Sequence, residues 1–167
     1  MSQQCATRYP LVLVPGMLGF IRLVLYPYWY GIVSALRRGG AVVVAVQVSP
    51  LHSSEVRGEQ LLARIEEILT QTGAQKVNLI GHSQGALTAR YAAAKRPDLV
   101  ASVTSVAGTN HGSELADYLQ AHYPANSAKG RLLSALLRLI GALMSLLETG
   151  YRGPRLPVDI QASHASL

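Results

Sequence analysis

Short apolar runs alternate with helical patterns along most of this 167-residue chain, and this alternation restricts the fold more than any other feature. Four runs are apolar or rich in β-branched residues, as strands inside a parallel sheet are, and they lie at 11–14, 41–48, 77–80 and 100–106. Three stretches between them have the spacing of amphipathic helices, at 28–38, 55–70 and 86–95. Strands that alternate with helices predict an α/β fold with a mostly parallel sheet.

Composition sets the outer limits of this prediction. Hydrophobic residues make up 49% of the chain and charged residues 14%, which indicates a globular protein, and the length favours a single domain over 1–167. The formal charge is +6, yet the cations are scattered and no aromatic residues are interleaved among them, so nucleic-acid binding is disfavoured. Cys5 is the only cysteine, which excludes an intrachain disulfide. Residues 1–8 lack the apolar stretch of a signal peptide.

The pentapeptide 81–85 reads Gly-His-Ser-Gln-Gly, follows an apolar run and precedes a helix-forming run. It fits the pattern G-x-S-x-G in the strand–turn–helix context where that pattern has mechanical meaning. Gly81 and Gly85 would allow a turn so tight that Ser83 stands exposed at the end of the strand. A serine held in this way is a candidate nucleophile for acyl transfer. The alternative is a serine that only caps the following helix.

The glycine-rich loop at 15–19, directly after the first strand, is the candidate source of a second oxyanion donor. Such a loop can bring a backbone N–H to the serine, and the N–H groups of Met17 and Gln84 form the natural pair of donors. A plain connection between a strand and a helix would have the same glycines, so this alternative stays open.

The stretch from Arg131 to Glu148 is apolar around most of a helix. Its polar or small positions recur every three or four residues and form one narrow stripe: Arg131, Ser134, Arg138, Gly141, Ser145 and Glu148. Such a helix would be about 27 Å long, close to a membrane span, but the charge of Arg138 at its centre disfavours a transmembrane segment. Two interpretations remain: a helix buried on nearly every side, or one that exposes its apolar face to something other than water.

Five segments together resemble the true bacterial triacylglycerol lipases of the Pseudomonas and Burkholderia type. They are Tyr-Pro-Leu-Val-Leu-Val-x-Gly-Met-Leu-Gly-Phe at 9–20, Tyr-Trp-Tyr-Gly-Ile at 28–32, Ser-Glu-Val-Arg-Gly-Glu-Gln-Leu at 54–61, Val-Asn-Leu-Ile-Gly-His-Ser-Gln-Gly at 77–85, and Arg-Tyr-x-Ala through Arg-Pro-Asp-Leu at 90–99. The likeness covers nearly the whole chain, and these motifs are far more specific than the pentapeptide alone.

The resemblance implies an α/β-hydrolase fold and a secreted enzyme that hydrolyses the ester bonds of triacylglycerols. Ser83 would attack the ester carbonyl, and the N–H groups of Met17 and Gln84 would form the oxyanion hole. The region 127–148 would be a lid, apolar because it opens at an oil–water interface. The resemblance also implies a lipid or ester substrate, a structural calcium ion held outside this chain, no cofactor within it, and a lipase-specific folding chaperone as a candidate partner.

Two departures from the family pattern matter. Pro15 stands where the family has histidine, and proline removes a backbone donor and stiffens the loop. The hydrogen bonding of the loop therefore stays open, although Met17 keeps its N–H. The family's triad acid and base lie beyond the stretch that matches Leu167, as do its calcium ligands and disulfide. We therefore expect an incomplete α/β-hydrolase domain over 1–167, without its own triad Asp and His.

The later acidic and histidine residues offer no convincing triad within the chain. Asp98 follows a helix end, where a surface turn is expected, and His111 should lie on a loop at the same end of the sheet as Ser83. In the family, the motif around His111 does not supply the general base. Asp159 and His164 follow Ser83 in the required order, but no further strand pattern carries them into place.

Three hypotheses about function follow from these observations. The first is a lipase that acts through an acyl-enzyme at Ser83, and a carboxylesterase for soluble esters is its near alternative. The third belongs to another class: a non-catalytic α/β domain that binds lipid surfaces through its apolar helix.

Overall fold

Four parallel strands form the main sheet of the computed structural model, which describes residues 3–17, 22–23, 26–112, 114, 118, 121–124 and 126–148. In chain order, its elements are β1 (Leu11–Val14), β2 (Arg22–Leu23), β3 (Tyr26–Pro27), α1 (Ile32–Arg38), β4 (Val43–Ala45), α2 (Ser54–Thr72), β5 (Val77–His82), α3 (Gln84–Lys95), β6 (Val100–Val106) and α4 (Ala128–Glu148).

The order of strands in the main sheet is β4–β1–β5–β6, and each neighbouring pair is parallel. The chain therefore passes from β1 to β4 on one side and then returns past β1 to β5 on the other. Adjacent strands whose connections leave in opposite directions open a crevice at their carboxyl ends. Ser83 follows β5 and the loop 15–17 follows β1, so both lie at this crevice. Strands β2 and β3 form a separate antiparallel pair.

Apolar side chains cover both faces of the main sheet. On one face, α2 and α3 pack against the strands and form an apolar cluster with them. Leu61, Ile65 and Leu79 belong to this cluster and are fully buried. On the other face, α1 packs beside β4, and the cluster there contains Leu13 and Val43. Because alternate residues of β1 belong to the two clusters, as the strand period requires, every residue of this strand is buried.

The predicted α/β fold with a mostly parallel sheet is confirmed. Strands β1 and β6 have the predicted bounds, and the other predicted strands and helices are present with shifted ends. The helix predicted over 28–38 begins only at Ile32. The residue before it, Gly31, has a left-handed φ of 73°, and residues 28–30 form a turn. Its predicted end before Gly39 is confirmed. The hydroxyl of Ser53 caps α2 by accepting the N–H of Val56.

The strand predicted over 41–48 comprises only Val43–Ala45 and lies at one end of the described strand order rather than inside it. Beyond it the chain leaves the ladder. The N–H of Val46 still bonds the carbonyl of Leu13 at 3.1 Å, but the N–H of Ser49 donates to the side chain of Gln60 at 2.8 Å. A side chain of α2 has taken the place of the neighbouring strand as the hydrogen-bond acceptor.

Helix α4 carries exposed apolar side chains. Leu132, Leu136 and Leu139 recur at helical spacing and are 72%, 51% and 67% exposed. Burial on nearly every side is therefore wrong for the described part of this helix. The side chains at 137 and 140–148 lie outside the described residues. In the part of the chain that the structure describes, no helix combines the length and hydropathy needed to cross a membrane.

Helices α2 and α3 touch where Gly58 meets the ring of Tyr91, and a Cβ atom at position 58 would overlap this ring. We expect Gly58→Ala to lower the free energy of unfolding by about 1–3 kcal/mol, the range for overpacking. Without the ring of Tyr91, the substitution would be expected to stabilise the protein, because alanine is more favourable than glycine in a helix interior by about 1 kcal/mol. A loss of stability therefore reports the overlap. Urea denaturation monitored by circular dichroism measures the change.

The Tyr91→Ala background provides the matched control, because the ring that opposes alanine at position 58 is absent there. In that background Gly58→Ala should be neutral or stabilising. Equal effects of Gly58→Ala in both backgrounds would contradict the close packing of α2 on α3.

Candidate active site

Ser83 has a backbone conformation that few residues other than glycine adopt. It lies between β5 and α3 with φ 55° and ψ −126°, and such a conformation costs about 1–3 kcal/mol. Its N–H donates to the carbonyl of Val106 at 2.9 Å, and its own carbonyl accepts from the N–H of Ala86 at 3.0 Å. These backbone contacts hold the turn between the strand and the helix in its strained form.

The two glycines of the pentapeptide lie where no side chain fits. A Cβ atom at Gly81 would lie 2.6 Å from the nitrogen of Ala86, and one at Gly85 would lie 2.6 Å from the carbonyl oxygen of Pro15. All of these neighbours are backbone atoms, which cannot rotate away as a side chain can. The first turn of α3 therefore packs directly on the strand before it and on the loop after β1.

The loop after β1 also approaches the serine itself. A Cβ atom at Gly16 would lie 2.9 Å from the Cβ atom of Ser83. Met17 comes next, with its side chain 61% exposed, and Gln84 is the first residue of α3. Within the described residues, the backbone N–H groups of Met17 and Gln84 have no acceptor. Both N–H groups belong to segments that adjoin Ser83, and that of Gln84 is at a helix N-terminus.

Arg57 of α2 binds both the loop after β1 and the first residue of α3, and it is not among the site residues predicted from the sequence. Its side chain is fully buried and donates to the carbonyls of Pro15 at 2.5 Å and Gly16 at 3.1 Å, and to the side-chain oxygen of Gln84 at 2.9 Å. Burial lowers the pKa of this guanidinium to about 10, which leaves it charged near neutral pH. Its spacing of four from Leu61 places a cation on the apolar stripe of α2, and this signal is visible in the sequence.

Tyr28 holds the same loop from the other side. Its hydroxyl accepts the N–H of Gly16 at 3.1 Å and lies 2.5 Å from Nδ1 of His82. The ring of Tyr28 also packs edge-on against the ring of His82. Arg57 and Tyr28 together bind the carbonyls of Pro15 and Gly16 and the N–H of Gly16. The N–H of Met17 is left without an acceptor among the described residues.

The other residues considered from the sequence lie apart from Ser83 or outside the described part. Asp98 is ion-paired with Arg96 at 2.8 Å on the surface. It precedes β6 and therefore lies at the amino ends of the parallel strands, whereas Ser83 lies at their carboxyl ends. His111 is exposed on the loop after β6, at the same carboxyl ends of the strands as Ser83. Asp159 and His164 lie outside the described residues.

No histidine or carboxylate forms a hydrogen bond with the Ser83 hydroxyl within the described ranges. In those same ranges, no three His, Cys, Asp or Glu side chains come together as metal ligands. The triad acid and base and the calcium ion implied by the resemblance therefore stay predictions.

A family model described as the alpha/beta hydrolase fold matches residues 9–159. The chain belongs to the α/β-hydrolase family, in agreement with the order of its strands and the position of Ser83 at the end of β5.

Within this family, the chain is similar to bacterial triacylglycerol lipases, as its motifs predict. It is 49% identical over 160 residues to a triacylglycerol lipase of Vibrio cholerae serotype O1, a match that covers 95% of this chain and 51% of that protein. A triacylglycerol lipase of Pseudomonas fragi is 48% identical over 157 residues, with 94% and 53% covered. The chain thus spans about half the length of the curated relatives it matches.

A solved structure shows the same fold. The crystal structure of Bacillus licheniformis lipase BlEst2 in mature form superimposes with a TM-score of 0.57 at 25% identity, over 77% of this chain and 50% of that one.

Gly85→Ala tests the contact between α3 and the loop after β1. The new methyl group would overlap the carbonyl oxygens of Val14 and Pro15, so we expect the free energy of unfolding to fall by about 3 kcal/mol or more. Gly73→Ala is the control, because Gly73 has a φ of 67° but open space around it. Its cost should be only the left-handed strain of about 1–2 kcal/mol. Chemical denaturation that gave equal losses for the two variants would contradict the contact.

Proposed function

We propose that this protein hydrolyses the carboxylic ester bonds of triacylglycerols, with Ser83 as the nucleophile. The observation that carries the proposal is the strained conformation of Ser83 at the end of β5, beside the N–H groups of Met17 and Gln84 that lack acceptors within the described residues. The similarity to proteins named triacylglycerol lipase supports the choice of substrate.

The proposed reaction proceeds through an acyl-enzyme. The Ser83 oxygen attacks the ester carbonyl while a general base takes its proton, and the carbonyl oxygen becomes an oxyanion that accepts hydrogen bonds from Met17 and Gln84. Collapse of this intermediate breaks the ester bond, and the alcohol leaves with the proton from the base. Water then attacks the acyl group by the same route and restores the Ser83 hydroxyl. The resemblance implies the base and its partner acid beyond the stretch matching Leu167.

We propose that the region 127–148 acts as a lid. Support comes from α4, where Leu132, Leu136 and Leu139 form an exposed apolar face while Arg131 and Arg138 are also exposed. A helix with an apolar face and cationic neighbours is suited to lie at a boundary between oil and water. Such a face would contact the substrate phase whenever the site is open.

Further proposals rest on the resemblance alone. They are action outside the cell, a structural calcium ion, and a lipase-specific folding chaperone as a partner. A carboxylesterase for soluble esters is the alternative within the same class, and its rate would not rise when the substrate exceeds its solubility limit.

Ser83→Ala should reduce kcat by about 10⁴-fold or more, because removing a serine nucleophile leaves only binding and oxyanion stabilisation. The measurement is hydrolysis of emulsified triolein by the full-length protein, together with labelling by a fluorophosphonate probe and peptide mapping. Ser102→Ala, at an exposed serine of β6, is the control and should keep both activity and labelling. Label on a residue other than Ser83 would refute the assignment.

The triple variant Leu132→Ser, Leu136→Ser, Leu139→Ser tests the lid. Each leucine that enters oil contributes about 1.5–3 kcal/mol, so its replacement should weaken action at the interface by about tenfold or more per residue. Hydrolysis of a soluble short-chain ester should stay unchanged. The rate is followed across the solubility limit of tributyrin.

Ala135→Ser is the matched control on the same exposed helix and should keep the rise in rate at the solubility limit. Liposome binding separates the non-catalytic alternative: binding without any Ser83-dependent hydrolysis in the full-length protein would favour a lipid-binding domain. An unchanged rise in the triple variant would exclude the lid.

A further inference from the structure

A fully buried cation is costly unless its N–H groups find acceptors. Arg57 is fully buried, and its Nη1 and Nη2 have acceptors, whereas its Nε has none within the described residues. It lies on the stripe of α2 that otherwise carries Leu61, Ile65 and Ile68. Its hydrogen bonds go to two segments that are far apart in sequence, the loop after β1 and the start of α3. These are the segments that supply the two proposed oxyanion donors.

The contacts of Arg57 with the loop fix the direction of the donor of Met17. A peptide unit is planar and trans, so its C=O and N–H point in opposite directions. The carbonyl of Gly16 belongs to the same peptide unit as the N–H of Met17. Because this carbonyl points at Arg57, the N–H of Met17 must point away from it.

The preceding peptide unit follows the same pattern and shows where the opposite side is. The carbonyl of Pro15 points at Arg57, and the N–H of Gly16 points away, to the hydroxyl of Tyr28. Gly16 is also the residue whose added Cβ would lie 2.9 Å from the Cβ of Ser83. Both N–H groups of the loop therefore face the side on which the serine lies.

The contact of Arg57 with α3 holds Gln84, the residue whose N–H is the other proposed donor. Its Nη1 donates to the side-chain oxygen of Gln84, and the side-chain nitrogen of Gln84 donates to the carbonyl of His52 at 3.2 Å. The residue whose N–H is the second proposed donor is thus tied to the beginning of α2. One guanidinium connects the two halves of the site.

We infer that Arg57 is a positioning residue that aligns the N–H groups of Met17 and Gln84 on the developing oxyanion. The inference rests on the proposed function. A charge-assisted hydrogen bond to the carbonyl of Gly16 also polarises that peptide unit, which makes the N–H of Met17 a better donor. Arg57 touches neither the ester nor the serine and acts through the backbone.

The test compares Arg57→Met and Arg57→Lys with the parent in the full-length protein, using a soluble p-nitrophenyl ester. Methionine keeps the apolar length of the side chain, and lysine keeps the charge without the planar fork that reaches three acceptors. We expect both to lower kcat by about 10²–10³-fold, the loss typical of a missing oxyanion donor, with KM changed less than about threefold. Arg64→Met, at an exposed arginine of the same helix paired with Glu67, should change neither constant.

A second readout separates alignment from a merely structural role. An alkyl boronic acid forms a tetrahedral adduct with the serine and places an oxygen at the oxyanion position, so its affinity should fall by the same factor as kcat. Thermal unfolding shows whether each variant is folded. A folded Arg57 variant whose boronic acid affinity matches the parent would overturn the inference, whatever its kcat.

If neither Arg57 variant folds, Gln84→Leu tests the inference instead. It removes the one acceptor of Arg57 on α3 but keeps the backbone N–H of residue 84. We expect kcat and boronic acid affinity to fall together by about tenfold. If both stay at the parent values, the inference fails. Failure of the proposed function would look different, because Ser83→Ala would then retain ester hydrolysis.

Discussion

The position of every candidate site residue depends on one contact, where the backbones of three segments meet without intervening side chains. The loop after β1 lies against the turn after β5 and the first turn of α3, at Gly16, Gly81 and Gly85. Because the touching atoms are mostly backbone atoms, no change of rotamer can relieve an added methyl group. This contact brings Ser83 and Gly16 together although the chain between them runs through α1, β4, α2 and β5.

A second constraint is the buried charge of Arg57, which packs against the same segments and bears on the stability of the fold. Burial of a charged side chain costs free energy, and the acceptors that Arg57 binds are neutral: two backbone carbonyls and a side-chain amide oxygen. What Arg57 supplies is a fixed orientation for the carbonyls of Pro15 and Gly16. Strain at Ser83 and a charge in the core are thus found side by side, and such local departures from favourable structure concentrate at functional sites.

The fold was predictable from the sequence because its signals are local. Buried strands appear as apolar runs, and α2 has an apolar stripe, a serine cap and a glycine at its end. The errors arose where tertiary contacts override the local pattern. The run at 41–48 is apolar throughout, but only Val43–Ala45 pairs with β1. Likewise, the turn at 28–30 has helical composition, yet Tyr28 is held there by Gly16 and His82.

The residues of the candidate site differ in the same way: some were predictable from local sequence and others depend on tertiary contacts. Ser83 and its glycines could be proposed because the turn is built from five consecutive residues. Arg57 could not, because its acceptors lie 41 and 42 positions earlier and 27 positions later in the chain. The sequence shows only that a cation falls on an apolar stripe of α2, which requires a buried partner without identifying it. In this protein the proposed nucleophile is encoded locally, whereas the residue inferred to align the proposed oxyanion donors is defined only by the folded chain.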